Sequence, residues 1–159
     1  MQVMGNVETR LAAAHVIVPD APMPAGSYVP YVVSRGHVFI SGQTCRVNGQ
    51  VAHQGKVGRD LSLEEGRLAA RICAINLLSQ LKAACGGDLD RVARCVRLGG
   101  FVCSDDTFTQ QPEVLNGASE VILAAFGAAG RHARTAVGVT VLPSNSAVEV
   151  DAVFELLDP

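Results

Sequence analysis

Arg134 and Glu149 are the residues of this chain whose types could do chemistry together. A guanidinium presents a planar fork of donors that matches a carboxylate. An acid side chain held beside a water can accept its proton and later return one to a leaving group. Both residues lie in alternating stretches, residues 133–141 (Ala-Arg-Thr-Ala-Val-Gly-Val-Thr-Val) and 148–155 (Val-Glu-Val-Asp-Ala-Val-Phe-Glu). Period-two alternation is the signature of a half-buried strand, and Pro143-Ser144-Asn145-Ser146 between the two runs has turn chemistry. The expectation is a β-hairpin closing at Ser144–Asn145.

That hairpin assigns faces. Thr135, Val137, Val139 and Val141 would share a core face with Val148, Val150, Ala152, Phe154 and Leu156. Arg134, Ala136, Gly138, Thr140, Glu149, Asp151 and Glu155 would share the other. Arg134 would fall opposite Glu155, so Glu149 lies roughly 20 Å away along the strand. Within one chain the two groups could not grip the same small molecule. If they cooperate, a second subunit must supply one of them.

The elements that would hold these strands can be read upstream. Residues 7–14 have helical spacing, and Pro19, Pro22 and Pro24 favour extended backbone after them, so residues 1–25 are expected to be an N-terminal extension to a single domain, 26–159. Strands are expected over 28–34 and 37–43, split by a tight turn at Arg35-Gly36, and Asn48-Gly49 marks a two-residue hairpin within 46–52. Ser62-Leu63-Glu64-Glu65 is a capping box opening a helix to about Ala84, with Leu68, Ile72, Ile75 and Leu78 as its apolar stripe and Gly86-Gly87 as its stop. Residues 91–103 read as a strand. Residues 112–126 read as a helix buried through Val114, Ala118, Val121, Ile122 and Phe126. Two helices can cover only one face of such a sheet, which predicts an α+β sandwich with one face bare and Arg134 and Glu149 on that bare face. Small residues there, Ala136 and Gly138, suit packing against a second copy.

Composition narrows the function classes. The 159 residues carry a net charge of −2, no Trp and only two Tyr, with Lys and Arg scattered. That argues against nucleic-acid binding, ribonuclease chemistry included, because a phosphate backbone or stacked bases require clustered cations or aromatic platforms. No apolar run is long enough to span a membrane, and no export signal opens the chain, so a cytoplasmic protein is expected. Five cysteines, odd in number and without C-x-x-C spacing, read as buried small apolar residues, with no metal site expected. His132 reads as an exposed loop histidine.

Several short motifs in order, Gly26-Ser27-Tyr28, Val38-Phe39-Ile40-Ser41-Gly42-Gln43, Gln111-Pro112 with Asn116, Ala133-Arg134-Thr135-Ala136-Val137, and Leu142-Pro143 with Val148-Glu149-Val150-Asp151-Ala152, resemble the RidA (YjgF, L-PSP endoribonuclease-like) family of enamine/imine deaminases. The match covers nearly everything from Tyr28 to Leu156 and looks closest to a subgroup with a longer N-terminus. The resemblance implies a mixed β-sheet with two helices on one face, the chorismate-mutase-like fold of the bacillus type. It further implies a homotrimer whose sheets line a central barrel, with ligand sites between subunits and no cofactor. By position, Arg134 would grip the substrate carboxylate and Glu149 would position the hydrolytic water. Tyr28 would stand at the cleft mouth, Gly42 would let backbone approach the ligand, and Asn116 would line the site. Ala136 stands where many members have Cys, leaving a backbone N–H but no thiol. The implied reaction is hydrolysis of 2-enamino or 2-imino acids, such as 2-aminoacrylate, to a 2-keto acid and ammonia. The alternative is a trimer that binds small carboxylates such as keto acids without turnover, in a regulatory role.

Overall fold

A computed structural model describes residues 5–23 and 26–158. The elements in chain order are α1 (Asn6–Ala13), β1 (Tyr31–Ser34), β2 (His37–Thr44), β3 (Arg46–Val47), β4 (Gln50–Val51), α2 (Leu63–Ala84), β5 (Val92–Cys103), α3 (Gln111–Phe126), β6 (Ala133–Val139) and β7 (Val148–Leu156). Five strands form one mixed sheet in the order β1-β2-β7-β5-β6, and β3-β4 form a small separate hairpin. Helices α2 and α3 pack together and cover one face, α2 over β2 and β7, α3 over β5 and β6. The α+β sandwich with one bare face is therefore as expected.

Local chemistry accounts for most boundaries. Arg35 and Gly36 both take positive φ, as do Asn48 and Gly49, the backbone that two-residue hairpin turns need. Ser62 caps α2 by accepting from the Glu65 N–H (3.2 Å), while the Glu65 carboxylate accepts from the Ser62 N–H (2.7 Å). The first strand begins at Tyr31 rather than Tyr28, because Pro30 has no N–H to give a ladder. The N-terminal helix is capped by a distant residue: the Asp90 carboxylate accepts from the N–H groups of Asn6 (2.8 Å) and Val7 (2.9 Å). Val7, Leu11 and Val16 are buried in the common core. Of the three expected extending prolines, Pro24 lies outside the described residues.

The final hairpin does not form. Strand β6 runs parallel to β5, with Arg134 opposite Leu98, and β7 runs antiparallel on the other edge of β5, with Ala152 opposite the same Leu98. The reason lies in the connection: β5, the crossing helix α3 and β6 make a βαβ unit, which returns its second strand parallel to the first. The turn at Ser144 and Asn145 is real, with positive φ at both. It spans the end of β5 and is held from outside by Gly55 N–H to the Asn145 carbonyl, Ala147 N–H to the His53 carbonyl, and Lys56 Nζ to the Thr140 carbonyl (2.8 Å).

The apolar stripe of α2 is in part rotated from expectation, with Leu78 buried as expected and the other three members not. Leu68 is 45% exposed and Ile72 and Ile75 are only half-buried, while Ala69, Ala70, Cys73, Ala74, Leu77, Leu78 and Leu81 are buried. Small residues face inward because α2 and α3 approach closely. A Cβ at Gly117 of α3 would overlap the backbone carbonyl of Arg67 on α2. Gly117→Ala is accordingly expected to destabilise the fold by about 1–3 kcal/mol through overpacking against backbone that cannot rotate aside. Urea denaturation would show this as a lower midpoint at unchanged slope.

Candidate functional site

Every residue on β6 inherits its face from the pairing with β5. Leu98 and Ala152 are buried on the helix side, and Arg134 stands in register with both, so its side chain projects toward α3. Ala136 and Gly138 follow it on that side; Ala136 packs against the core, and a Cβ at Gly138 would meet Ser104 and Gln111. Thr135 and Val137 turn to the bare face, where Val137 is 41% exposed. This reverses the expected faces of β6. The alternation was correctly seen, but the valines of this edge strand do not point to the core.

Strand β7 keeps its expected faces, with Val148, Val150, Ala152 and Phe154 buried and Glu149 and Asp151 on the bare side. Arg134 and Glu149 are thus on opposite faces of one sheet, not on one face. They are separated by two strand spacings and three residues of rise, about 14 Å between backbones. The conclusion that one chain cannot bring both to one small ligand stands on this different ground.

The Arg134 guanidinium is held from one side. Nη1 donates to Asn116 Oδ1 (2.9 Å) and to Ser119 Oγ (3.0 Å), and Nη2 donates to the Pro112 carbonyl (3.2 Å). All three acceptors belong to α3. A guanidinium has five N–H donors, so Nε–H and one on Nη2 keep no partner among the described residues, enough for a two-pronged grip on a carboxylate. Asn116 is therefore beside Arg134, with its oxygen committed to orienting the arginine.

Ser119 and His132 were not anticipated as members of this group. His132 is half-buried, not an exposed loop residue: Nδ1 lies 2.6 Å from the Gly130 carbonyl and Nε2 lies 2.9 Å from Ser119 Oγ. Burial, with a smaller contribution from the Arg134 charge, holds its pKa below the ordinary histidine value. An open depression of about 250 Å³ adjoins the group, lined by Ser119, Leu123, Arg131, His132 and Arg134. The available signal was the i, i+3 spacing of Asn116 and Ser119, which puts two short polar side chains on one edge of the apolar stripe of α3.

The second group lies on the bare face. Gly42 lies within an irregularity in the β2–β7 pairing, between Ile40 and Gln43, and a Cβ there would overlap the Glu149 carboxylate. Only glycine lets that carboxylate lie over the strand. The Tyr28 segment is tied alongside: Ser41 donates from Oγ to the Val29 carbonyl (2.8 Å) and from N–H to the Pro30 carbonyl (2.9 Å). Partial burial, then the charge of Asp151, raises the Glu149 pKa above the ordinary glutamate value. Asp151 itself pairs with Arg97 (3.3 Å). The expected residues thus sort into two groups: Arg134, Asn116 and Ala136 at the β6 edge, and Glu149 with Gly42 near the β2–β7 junction, with Tyr28 in the segment tied to Ser41.

Among the described residues no cluster of His, Cys, Asp or Glu could hold a metal ion, and all five cysteines are buried and free. No helix among them is long and apolar enough to cross a membrane.

A mixed sheet with helices on one face, an anchored arginine at its edge and a desolvated glutamate on its bare side define an α+β protein of the chorismate-mutase-like kind. Residues 8–156 match the family described as "YjgF/chorismate mutase-like, putative endoribonuclease", and the chain belongs to that family. It is 47% identical over 153 residues to Protein TCP17 of Trypanosoma cruzi, covering 96% of this chain and 95% of the relative. Among solved structures it resembles the protein Atu1372, of unknown function, from Agrobacterium tumefaciens, with 42% identity, TM-score 0.89, and coverage of 95% and 92%. It also resembles a "putative endoribonuclease" from Shewanella oneidensis MR-1, with 36% identity, TM-score 0.91, and coverage of 96% and 100%.

The two causes of the Glu149 shift can be separated. Removing the neighbouring charge with Asp151→Asn is expected to lower the Glu149 pKa, and freeing Arg97 acts in the same direction. Carboxyl-carbon NMR titration reads the change directly; an unmoved titration would eliminate the charge as a cause. The sign for stability follows from the raised value: the protonated form is favoured in the folded state, and that contribution is lost as pH rises through the folded pKa. Glu149→Gln, which resembles the protonated form, is expected to raise the melting temperature at pH 7.

Proposed function

We propose that the protein hydrolyses reactive 2-enamino and 2-imino acids to 2-keto acids and ammonia, at sites shared between two copies of the chain. The observation that carries this reading is the two-donor edge left on an otherwise anchored Arg134 guanidinium. It suits the carboxylate of a small 2-imino acid and fixes its orientation. Glu149 supplies the acid–base group. Its raised pKa brings its proton affinity closer to neutrality, where one carboxyl can both take and return a proton.

The reaction balances without a cofactor. Glu149 accepts a proton from water as the water oxygen bonds to C2 of the imine. Glu149 returns that proton to the imine nitrogen to give the neutral carbinolamine, then takes the carbinolamine hydroxyl proton and hands it to the nitrogen, so that the C–N bond breaks, ammonia departs and C2 becomes a carbonyl. For 2-iminopropanoate the products are pyruvate and ammonia. The imine carbon is already electrophilic, so positioning a water and one proton carrier is sufficient chemistry.

Because the half-sites face opposite sides of one sheet, joint use requires the β6 edge of one copy to lie across the bare face of another. Such a head-to-tail contact closes as a ring, and three copies give the homotrimer proposed here. The bare face is suited to that cover, with Phe39 48% exposed and Val137 beside the β5 strand.

Coupling a dehydratase that releases 2-aminoacrylate to pyruvate detection tests the assignment. Arg134→Ala is expected to lower kcat/KM on the order of 100-fold or more, the value of two charge-assisted hydrogen bonds. Glu149→Gln is expected to lower kcat by about 10²–10⁴-fold with pyruvate affinity little changed. Neither variant alone distinguishes shared from single-chain sites, but co-expression does. With equal amounts of the two variants, random assembly restores about a quarter of the wild-type sites if each site takes its arginine and acid from different copies. No recovery in mixed oligomers would exclude a shared site, and wild-type pyruvate binding without turnover would leave carboxylate binding as the function.

A further inference from the structure

This inference rests on the reading of Arg134 as the carboxylate grip. We propose that His132, as a neutral imidazole acting through Ser119, is a positioning residue for Arg134 and sets the affinity for the substrate carboxylate. The geometry fixes the direction of every hydrogen bond. A carbonyl oxygen only accepts, so the 2.6 Å contact to Gly130 places the proton of the neutral ring on Nδ1. Nε2 is then an acceptor, and the Ser119 hydroxyl must donate to it across 2.9 Å. With its hydrogen committed, Ser119 Oγ turns its lone pairs to Arg134 Nη1, which donates at 3.0 Å. The chain runs from guanidinium to hydroxyl to imidazole to backbone carbonyl, with no donor facing a donor.

An imidazolium would break this order. Nε2–H would become a donor to Ser119, the hydroxyl hydrogen would need another acceptor, and a second cation would stand beside Arg134. Arg131, which lines the same depression, adds a third positive charge nearby. The site therefore favours the neutral ring, and the lowered His132 pKa agrees with that.

The consequence for Arg134 is geometric. Asn116 Oδ1 and the Pro112 carbonyl hold the far side of the fork, but both come from the first half of α3. Ser119 is the third support, one turn further along the helix, and it resists rotation of the guanidinium about its long axis. The edge carrying Nε–H and the remaining Nη2–H is then presented in one orientation, which matters for a planar carboxylate.

Three measurements test this on the intact protein. In the wild type, nitrogen NMR of the His132 ring at pH 7 is expected to show the neutral Nδ1–H form; a protonated ring or the Nε2–H form would overturn the proposal without any variant. Ser119→Ala and His132→Phe are each expected to weaken pyruvate binding and raise KM about tenfold with kcat within about twofold, and Ser119→Thr, which keeps the hydroxyl, to restore binding. The double variant is expected to be no worse than either single one, because the two side chains act in series. Additive losses, or single variants with unchanged affinity, would overturn it. Arg134→Ala in the same titration separates the two levels: if it too leaves pyruvate affinity unchanged, the reading of Arg134 as the grip is wrong; if it alone abolishes binding, only the positioning role is.

Discussion

Strand β5 carries a partner on each edge, parallel β6 on one side and antiparallel β7 on the other, and the placement of Arg134 and Glu149 follows from this. Helix α3 leaves the end of β5 and returns the chain to its start, so β6 is laid down as an outer strand beside the helix that delivered it. Arg134, near the beginning of β6, then faces the middle of α3. The chain next crosses the end of β5 and enters β7, where Glu149 takes the opposite face. Had β6 and β7 paired directly, the arginine and the acid would have shared a face and α3 would have had no strand to orient.

Arg134 and Glu149 stand in opposite electrostatic situations. For Arg134 the difficulty is direction, and α3 supplies three acceptors that consume three of five donors. Glu149 has no hydrogen-bond partner among the described residues; its carboxylate lies over a glycine, partly desolvated and beside a second acid. A carboxylate left this way is less comfortable ionised, which raises its proton affinity. One group is thus fixed in direction by its partners and the other left under-solvated, the contrast on which the proposed roles rest.

Much of this was legible in the chain. The capping box at Ser62, the turns at Arg35-Gly36 and Asn48-Gly49, and the buried stripe of α3 are local signals, set by residues within one or two turns of each other, and each appears where its chemistry places it. Partnership between strands is not local. Alternation in 133–141 says that a strand has two unlike faces, but an edge strand packed under a helix by Ala136 and Gly138 reverses which face is apolar. The strand–helix–strand order from β5 to β6 contained the correction, because a crossing helix implies parallel strands. The rotated part of the α2 stripe has a related cause: side-chain size alone does not identify the buried face of a helix whose neighbour comes as close as Gly117 does to the Arg67 backbone. For Ser119 only the i, i+3 spacing from Asn116 is a local signal, and for His132 there is none, because their role exists only once α3 and β6 are side by side.

The bare face of the sheet ties these threads together. A solvated sheet face is normally polar, yet this one presents Phe39 and Val137, both substantially exposed, around the Arg97–Asp151 pair and Glu149. Apolar side chains of this size gain roughly 25 cal/mol for each Å² removed from water. Covering them also removes water from the Glu149 carboxylate, which acts in the same direction as the shift already present in the single chain, while the arriving guanidinium acts against it. In the shared-site arrangement proposed above, assembly and acid–base tuning are one event: the contact that brings a second copy's arginine to the acid is the contact that dries the acid.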